Sequence, residues 1–180
     1  MRFSATPLQG AFVIELDAIE DERGFFARTF CQQEFNTLSL ESRIAQCNIS
    51  FNRWRGTLRG LHYQCEPYQE AKLVRCTRGL IWDVIVDLRN SSPTRLRWFG
   101  KELDATAREA IYVPRGFAHG FQALEDNSEV FYQMSEFYHP EAALGVRWND
   151  PAIGIEWPIP NPLLSERDSS FPLLGETTAK

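Results

Sequence analysis

Only three histidines occur in the 180 residues, and two of them sit inside stretches that alternate as strands do. Imidazole titrates near pH 6.5, where general acid–base chemistry operates, and it also ligates metals. In Thr57-Leu-Arg-Gly-Leu-His-Tyr-Gln64 the even positions Leu58, Gly60, His62 and Gln64 share one face, so His62 points where apolar side chains belong. A satisfied core histidine and a functional base both fit that position. His119 follows the turn Pro114-Arg-Gly116 at the start of another strand. On Leu80–Leu88 the odd face carries Ile81, Asp83, Ile85 and Asp87, and two acids among inward positions imply that one is buried against a partner. Lys72, taken alone, reads as a solvated edge-strand lysine. Tyr132 and Tyr138, six residues apart on one face, read as core or dimer contacts.

The two histidine segments resemble the paired motifs of cupins, the second of which has the form P-x-G-x-x-H. A metal cupin brings three histidines and a carboxylate together. Here Gln64 stands in place of the second histidine, and Glu70 is the candidate acid. His62, Gln64, Glu70 and His119 make a poor ligand set for a transition metal, so no metal is expected. The cysteines Cys31, Cys47, Cys65 and Cys76 form no C-x-x-C pair and read as reduced thiols.

The elements that must position these groups are mostly strands. Period-two alternation marks Ala11–Asp17, Gly24–Phe30, Arg43–Phe51, Thr57–Gln64, Ala71–Thr77, Leu80–Leu88, Leu96–Leu103, Ala110–Val113, Phe117–Leu124 and Ser128–Tyr138. One short helix fits at about Gln32 to Leu38. An antiparallel sandwich, jelly roll or barrel follows, as a single domain over 1–180. From Pro158 onward, with Pro160, Pro162 and Pro172, the chain is expected to run over the surface as extended coil to residue 180.

An aromatic content of 13% suits a strand-rich core. A net charge of −5 supplies no broad positive field, so neither nucleic acid nor an anionic membrane is an expected partner. A few arginines focused in one cleft could still hold a small anion. With no signal or membrane-spanning stretch, a cytoplasmic location is the default expectation.

The strings Asp21-Glu-Arg-Gly-Phe-Phe26, Gln46-Cys-Asn-Ile-Ser50, Gly56-Thr-Leu-Arg-Gly-Leu-His-Tyr-Gln64, Lys72-Leu-Val-Arg75, Ile81-Trp-Asp-Val-Ile-Val-Asp-Leu-Arg89, Val113-Pro-Arg-Gly-Phe-Ala-His-Gly-Phe121, Trp148-Asn-Asp-Pro151 and Leu164-Ser-Glu-Arg-Asp168 closely resemble the dTDP-4-dehydrorhamnose 3,5-epimerase family. The resemblance spans nearly the whole chain. It implies a cupin-type double-stranded β-helix (jelly roll) with few short helices, a homodimer, no cofactor, and a nucleoside-diphosphate 4-keto-6-deoxysugar as substrate.

Inverting a carbon beside a ketone takes a base, a group that stabilises the enolate oxygen, and an acid on the opposite face. By the resemblance His62 is the base and Tyr132 the acid. Lys72 is the enolate-stabilising cation, and Asp168 fixes the His62 tautomer, with Asp83 as a strand-borne rival for that role. Tyr138 corresponds to the ring stacked on the base of the nucleotide. Arg23, Arg59 and Arg167 correspond to diphosphate ligands, Gln46 and Asn48 to polar contacts, His119 to a sugar or phosphate contact, and Phe26 to a further substrate contact.

Arg59 and His62 are an odd number apart, which on a regular strand puts them on opposite faces. A bulge at Gly60, or a site shared across a dimer, would reconcile them. Arg28 and Ala143 stand where many relatives carry glutamates of the ligand-contacting set. A 3- or 5-epimerase acting on another nucleoside-diphosphate 4-keto sugar is therefore the alternative reading. A metal-dependent cupin and a non-catalytic sugar-binding cupin are further rivals, opposed by Gln64 and by the joint presence of His62, Lys72 and Tyr132.

Overall fold

The computed structural model describes residues 1–176. The strands are β1 (Arg2–Ala5), β2 (Phe12–Glu15), β3 (Ala18–Asp21), β4 (Gly24–Ala27), β5 (Gln46–Asn52), β6 (Leu58–Gln64), β7 (Lys72–Arg78), β8 (Leu80–Asp87), β9 (Trp98–Asp104), β10 (Ala110–Val113), β11 (Phe117–Ala123), β12 (Ser128–Met134) and β13 (Ala143–Gly145). The helices are α1 (Gln32–Thr37) and α2 (Glu166–Ser170). A six-stranded antiparallel sheet in the order β1-β2-β10-β7-β12-β5 faces a five-stranded one, β13-β6-β11-β8-β9, and β3 and β4 form a separate hairpin. This is the jelly-roll architecture that the resemblance implies, one of the three that strand alternation allows.

Strand alternation decides which side chains fill the space between the sheets. Val74 and Cys76 on β7, Ile81 and Ile85 on β8, Phe117 and Phe121 on β11, and Val130 on β12 form one buried cluster. The opposite parity packs outward. Leu73 and Tyr112 bury Phe35 of α1, while Leu61, Val84 and Val86 lie under Val146 and Ile153.

The proline-rich stretch, exposed or half-buried and without helix or strand over 158–165, is pinned to the body: buried Gln122 donates to Ile159 O at 2.8 Å and accepts from Ile159 N at 2.9 Å, and Thr57 bridges Leu163. Helix α2 follows it. Ser165 caps this helix by accepting from Asp168 N, and Glu166 and Asp168 lie in its first turn. Pro158, Pro160 and Pro162 all precede that capping signal, and only Pro172 follows it. The last four residues of the expected segment, 177–180, lie outside the described residues.

The loop between β8 and β9 is closed by Asp87, whose carboxylate accepts from Arg89 Nε at 2.9 Å, Thr94 Oγ1 at 2.7 Å and Ser92 Oγ. Burial alone would raise this acid; Arg89, Ser92 and Thr94 overcome it and hold the pKa at about 2 against an ordinary 3.8. A depressed carboxylate stabilises the fold above its unfolded pKa. The contribution, about 2 kcal/mol, is therefore present above pH 4 and disappears as pH falls towards 2. Urea unfolding at pH 6 and pH 2.5 should show Asp87→Asn less stable at pH 6 and less acid-sensitive than the parent. Equal acid sensitivity in the two proteins would contradict this assignment.

Candidate functional site

A cavity of about 490 Å³ opens between the two sheets. From the six-stranded sheet, antiparallel register lines up Lys72, Met134 and Gln46 in one row and Val74, Tyr132 and Asn48 in the next. All of these but Val74 line the cavity. From the five-stranded sheet come Arg59 and His62 on β6 and His119 and Phe121 on β11.

The parity conflict between Arg59 and His62 is resolved by an irregular register. His119 pairs with His62 and Phe121 with Arg59, so two residues on β11 span three on β6. One extra residue flips the alternation, and Arg59 joins His62 on the inner face. Leu58, expected on the His62 face, instead pairs with Gln122. Gly60 sits at the irregularity with φ +137°, and a Cβ there would lie 2.5 Å from Gly120 Cα. Only glycine fits both the conformation and the close approach.

Two histidine–carboxylate pairs separate the rival acids. His62 Nε2 lies 2.6 Å from Asp168 Oδ1, and His119 Nε2 lies 2.8 Å from Asp83 Oδ2. Asp168 is therefore the partner of His62, carried there by α2. Burial would raise the Asp168 carboxyl, but the His62 imidazole, the Ser165 hydroxyl and the Gly60 amide hold it below the ordinary range. An ionised Asp168 accepts Nε2–H and leaves the His62 lone pair on Nδ1.

Lys72 is not a solvated edge lysine. It is buried, its ammonium lies 3.1 Å from Glu70 Oε1, and it donates to the His62 backbone carbonyl at 3.0 Å. The Tyr132 phenol is raised well above the ordinary range, first by burial and then by the nearby negative charge of Asp83. It therefore stays protonated across physiological pH. Its ring meets the His119 ring edge-on, with centroids 6.0 Å apart.

Tyr138 also borders the cavity, although β12 ends at Met134 and not at Tyr138 as expected. The loop that carries it is held by backbone contacts to side chains. Gln46 Oε1 accepts from Tyr138 N, while Gln64 donates to Phe137 O at 3.1 Å and accepts from His139 N at 2.6 Å. Arg167 completes the cavity wall from α2.

Two expected ligand residues are elsewhere. Arg23 and Phe26 project from the β3–β4 hairpin, Arg23 paired to Asp21 and Phe26 72% exposed, and neither borders the cavity of this chain. Arg28 is paired with Glu34, and Ala143 lies in the cavity wall. The structure also places Glu136, Phe137 and Leu144 around the cavity, none of which stood out in the sequence. Glu136 and Phe137 lie beyond the end of β12, and Leu144 lies in the three-residue strand β13, too short for alternation to mark.

The four side chains weighed as metal ligands each serve another partner. Gln64 holds the 137–139 loop, Glu70 pairs with Lys72, His119 with Asp83, and His62 with Asp168. What converges on the cavity is the His62 imidazole with its Asp168 carboxylate from the side of the five-stranded sheet, and the protonated Tyr132 phenol and the buried Lys72 ammonium from the six-stranded sheet. That set suits transfer of a proton beside a carbonyl.

The family model described as dTDP-4-dehydrorhamnose 3,5-epimerase matches residues 5–176. The chain is 46% identical over 178 residues to dTDP-4-dehydrorhamnose 3,5-epimerase from Methanothermobacter thermautotrophicus, covering 97% of this chain and 95% of that one. Among solved structures, dTDP-4-dehydrorhamnose 3,5-epimerase from Elizabethkingia anophelis superposes with a TM-score of 0.96 at 40% identity, covering 98% of each chain. The Legionella pneumophila dTDP-6-deoxy-D-glucose-3,5-epimerase, in complex with dTDP-4-keto-L-rhamnose, gives 0.91 at 34% identity, covering 99% of this chain and 95% of that one. Among the described residues no helix is long and apolar enough to cross a membrane.

Proposed function

The chain belongs to the dTDP-4-dehydrorhamnose 3,5-epimerase family, and from that premise we propose how its own side chains epimerise dTDP-4-dehydro-6-deoxy-D-glucose at C3 and C5 to give dTDP-4-dehydro-L-rhamnose. It is an isomerase acting on a nucleotide sugar. The observation that carries the assignment of roles is the opposition of the His62–Asp168 pair and the Tyr132 phenol across one cavity.

In this reading His62 Nδ1 removes the proton next to the 4-keto group. Asp168 stabilises the imidazolium so formed and fixes its orientation. The enolate oxygen develops its charge against the Lys72 ammonium, a fixed cation in a buried setting where electrostatic stabilisation is strongest. Tyr132 returns a proton from the opposite face, which inverts the centre. Arg59 and Arg167 bind the diphosphate, Tyr138 stacks on the base of the nucleotide, and Gln46, Asn48 and His119 give polar contacts. Arg59 is steadied for this by a 2.8 Å bond from Nε to Asn52 Oδ1.

No metal or organic cofactor has a part in this scheme. The chemistry needs only the substrate's own ketone as electron sink.

We further propose a homodimer. Exposed Ile19, Phe25 and Phe26 on the β3–β4 hairpin support it, as do Ile49 and Phe51 on the unpaired edge strand β5. In a dimer the hairpin gives Arg23 and Phe26 a route to the partner's cavity, which accounts for their distance from their own. Inversion at a single centre, or on another nucleoside-diphosphate 4-keto sugar, is the second reading. It rests on Ala143 in the cavity wall, at the position where the resemblance implies a glutamate in many relatives.

Protein dialysed against EDTA is expected to convert dTDP-4-dehydro-6-deoxy-D-glucose to dTDP-4-dehydro-L-rhamnose, followed by proton NMR. Unchanged substrate, or conversion only after a divalent metal is restored, would overturn the scheme.

A further inference from the structure

We infer that Phe171, seated on Gly145, is a positioning residue that fixes the His62–Asp168 pair and Arg167 as one unit. The inference rests on the reading of His62 as the base. Helix α2 has five residues, too few to be stable alone, so the placement of Asp168 and Arg167 must come from tertiary contacts. Phe171 ends that helix. Its ring lies on the bare backbone of Gly145, where a Cβ would overlap three of its ring carbons. Gly145 has no left-handed backbone conformation to explain it; the space taken by the ring does.

Gly145 is also the register partner of His62 across β13 and β6, so the seated ring is brought against the imidazole. The two rings meet edge to face, with centroids 5.7 Å apart and planes at 75°. The Arg167 guanidinium lies over the same phenyl ring at 5.7 Å. Arg147 on the strand side anchors the backbone, donating from Nε to Phe171 O at 2.7 Å. One aromatic ring thus meets both the proposed base His62 and a proposed diphosphate ligand, Arg167.

Removing the ring, or filling its seat, should loosen both functions together. Phe171→Ala and Gly145→Ala are each expected to slow solvent-proton exchange into the substrate by at least about tenfold and to weaken dTDP binding several-fold. The two losses should not add, because a methyl on Gly145 costs nothing once the ring is gone. An independent readout is the nitrogen NMR spectrum of protein labelled at its three histidines, with His62→Asn assigning the His62 signals. The parent should show His62 protonated at Nε2, and Phe171→Ala should show mixed tautomers.

Additive losses in the double variant, or an unchanged His62 tautomer in Phe171→Ala, would overturn the inference. Should Gly145→Ala fail to fold, Phe171→Ala with the tautomer readout decides alone. A parent that exchanges no substrate proton would refute the epimerase reading, whereas the tautomer comparison would still decide the role of Phe171.

Discussion

Replacing His62 by Asn should reduce exchange of the substrate's carbon-bound proton with solvent by roughly 10²–10⁴-fold, the usual cost of losing a general base. Asn keeps a polar group of similar reach on β6, and the cavity row it occupies is otherwise set by the β6–β11 register. The fold and dTDP affinity should therefore persist, and the loss should fall on turnover and not on binding. Asp168 loses its imidazole partner in this variant and, being buried, should move back up towards or above the ordinary carboxyl range. Near-normal exchange in His62→Asn, with dTDP binding intact, would remove His62 from the mechanism.

Replacing Tyr132 by Phe should have the second large effect, and a different kind of effect. The hydroxyl is lost while the ring, packed against Phe121 and His119, stays. Proton removal by His62 remains possible, and the proton returns from the same side. In D2O the starting sugar should then gain deuterium while inverted product falls by about 10²-fold or more, again the scale of one acid–base group. Parallel loss of exchange and inversion would show that Tyr132 is no dedicated acid.

Much of the architecture is legible in the sequence, since strand alternation is a local signal. Phe117, His119 and Phe121 face inward on β11 as period two demands, and the Asp83 and Asp87 side chains are buried against partners. The pairing of His62 with Asp168 could not be read that way. It depends on α2 folding back on β6 from more than a hundred residues away, and the prolines before it masked the Ser165 cap.

The inward turn of Arg59 was half legible: a bulge at Gly60 was one of two ways to reconcile it with His62, and only the β6–β11 register chooses it. A bulge is written in the partner strand's register as much as in Gly60, and register is not a property of one segment. Arg23 and Phe26 suit a diphosphate and a ring by type, yet neither borders the cavity of its own chain. The Glu70–Lys72 pair was legible only as two separate residues, one weighed as a metal ligand and the other as an edge-strand lysine or, by the resemblance, the enolate-stabilising cation.

The central claim is proton exchange at two carbons beside one ketone, by one base and one acid. Its most direct test is to run the parent protein on dTDP-4-dehydro-6-deoxy-D-glucose in D2O and to locate the label in the product by NMR and mass spectrometry. Deuterium at both C3 and C5 of an L-configured product is the predicted result. Label at C3 alone, label at neither carbon, or inversion without uptake of solvent deuterium would contradict it.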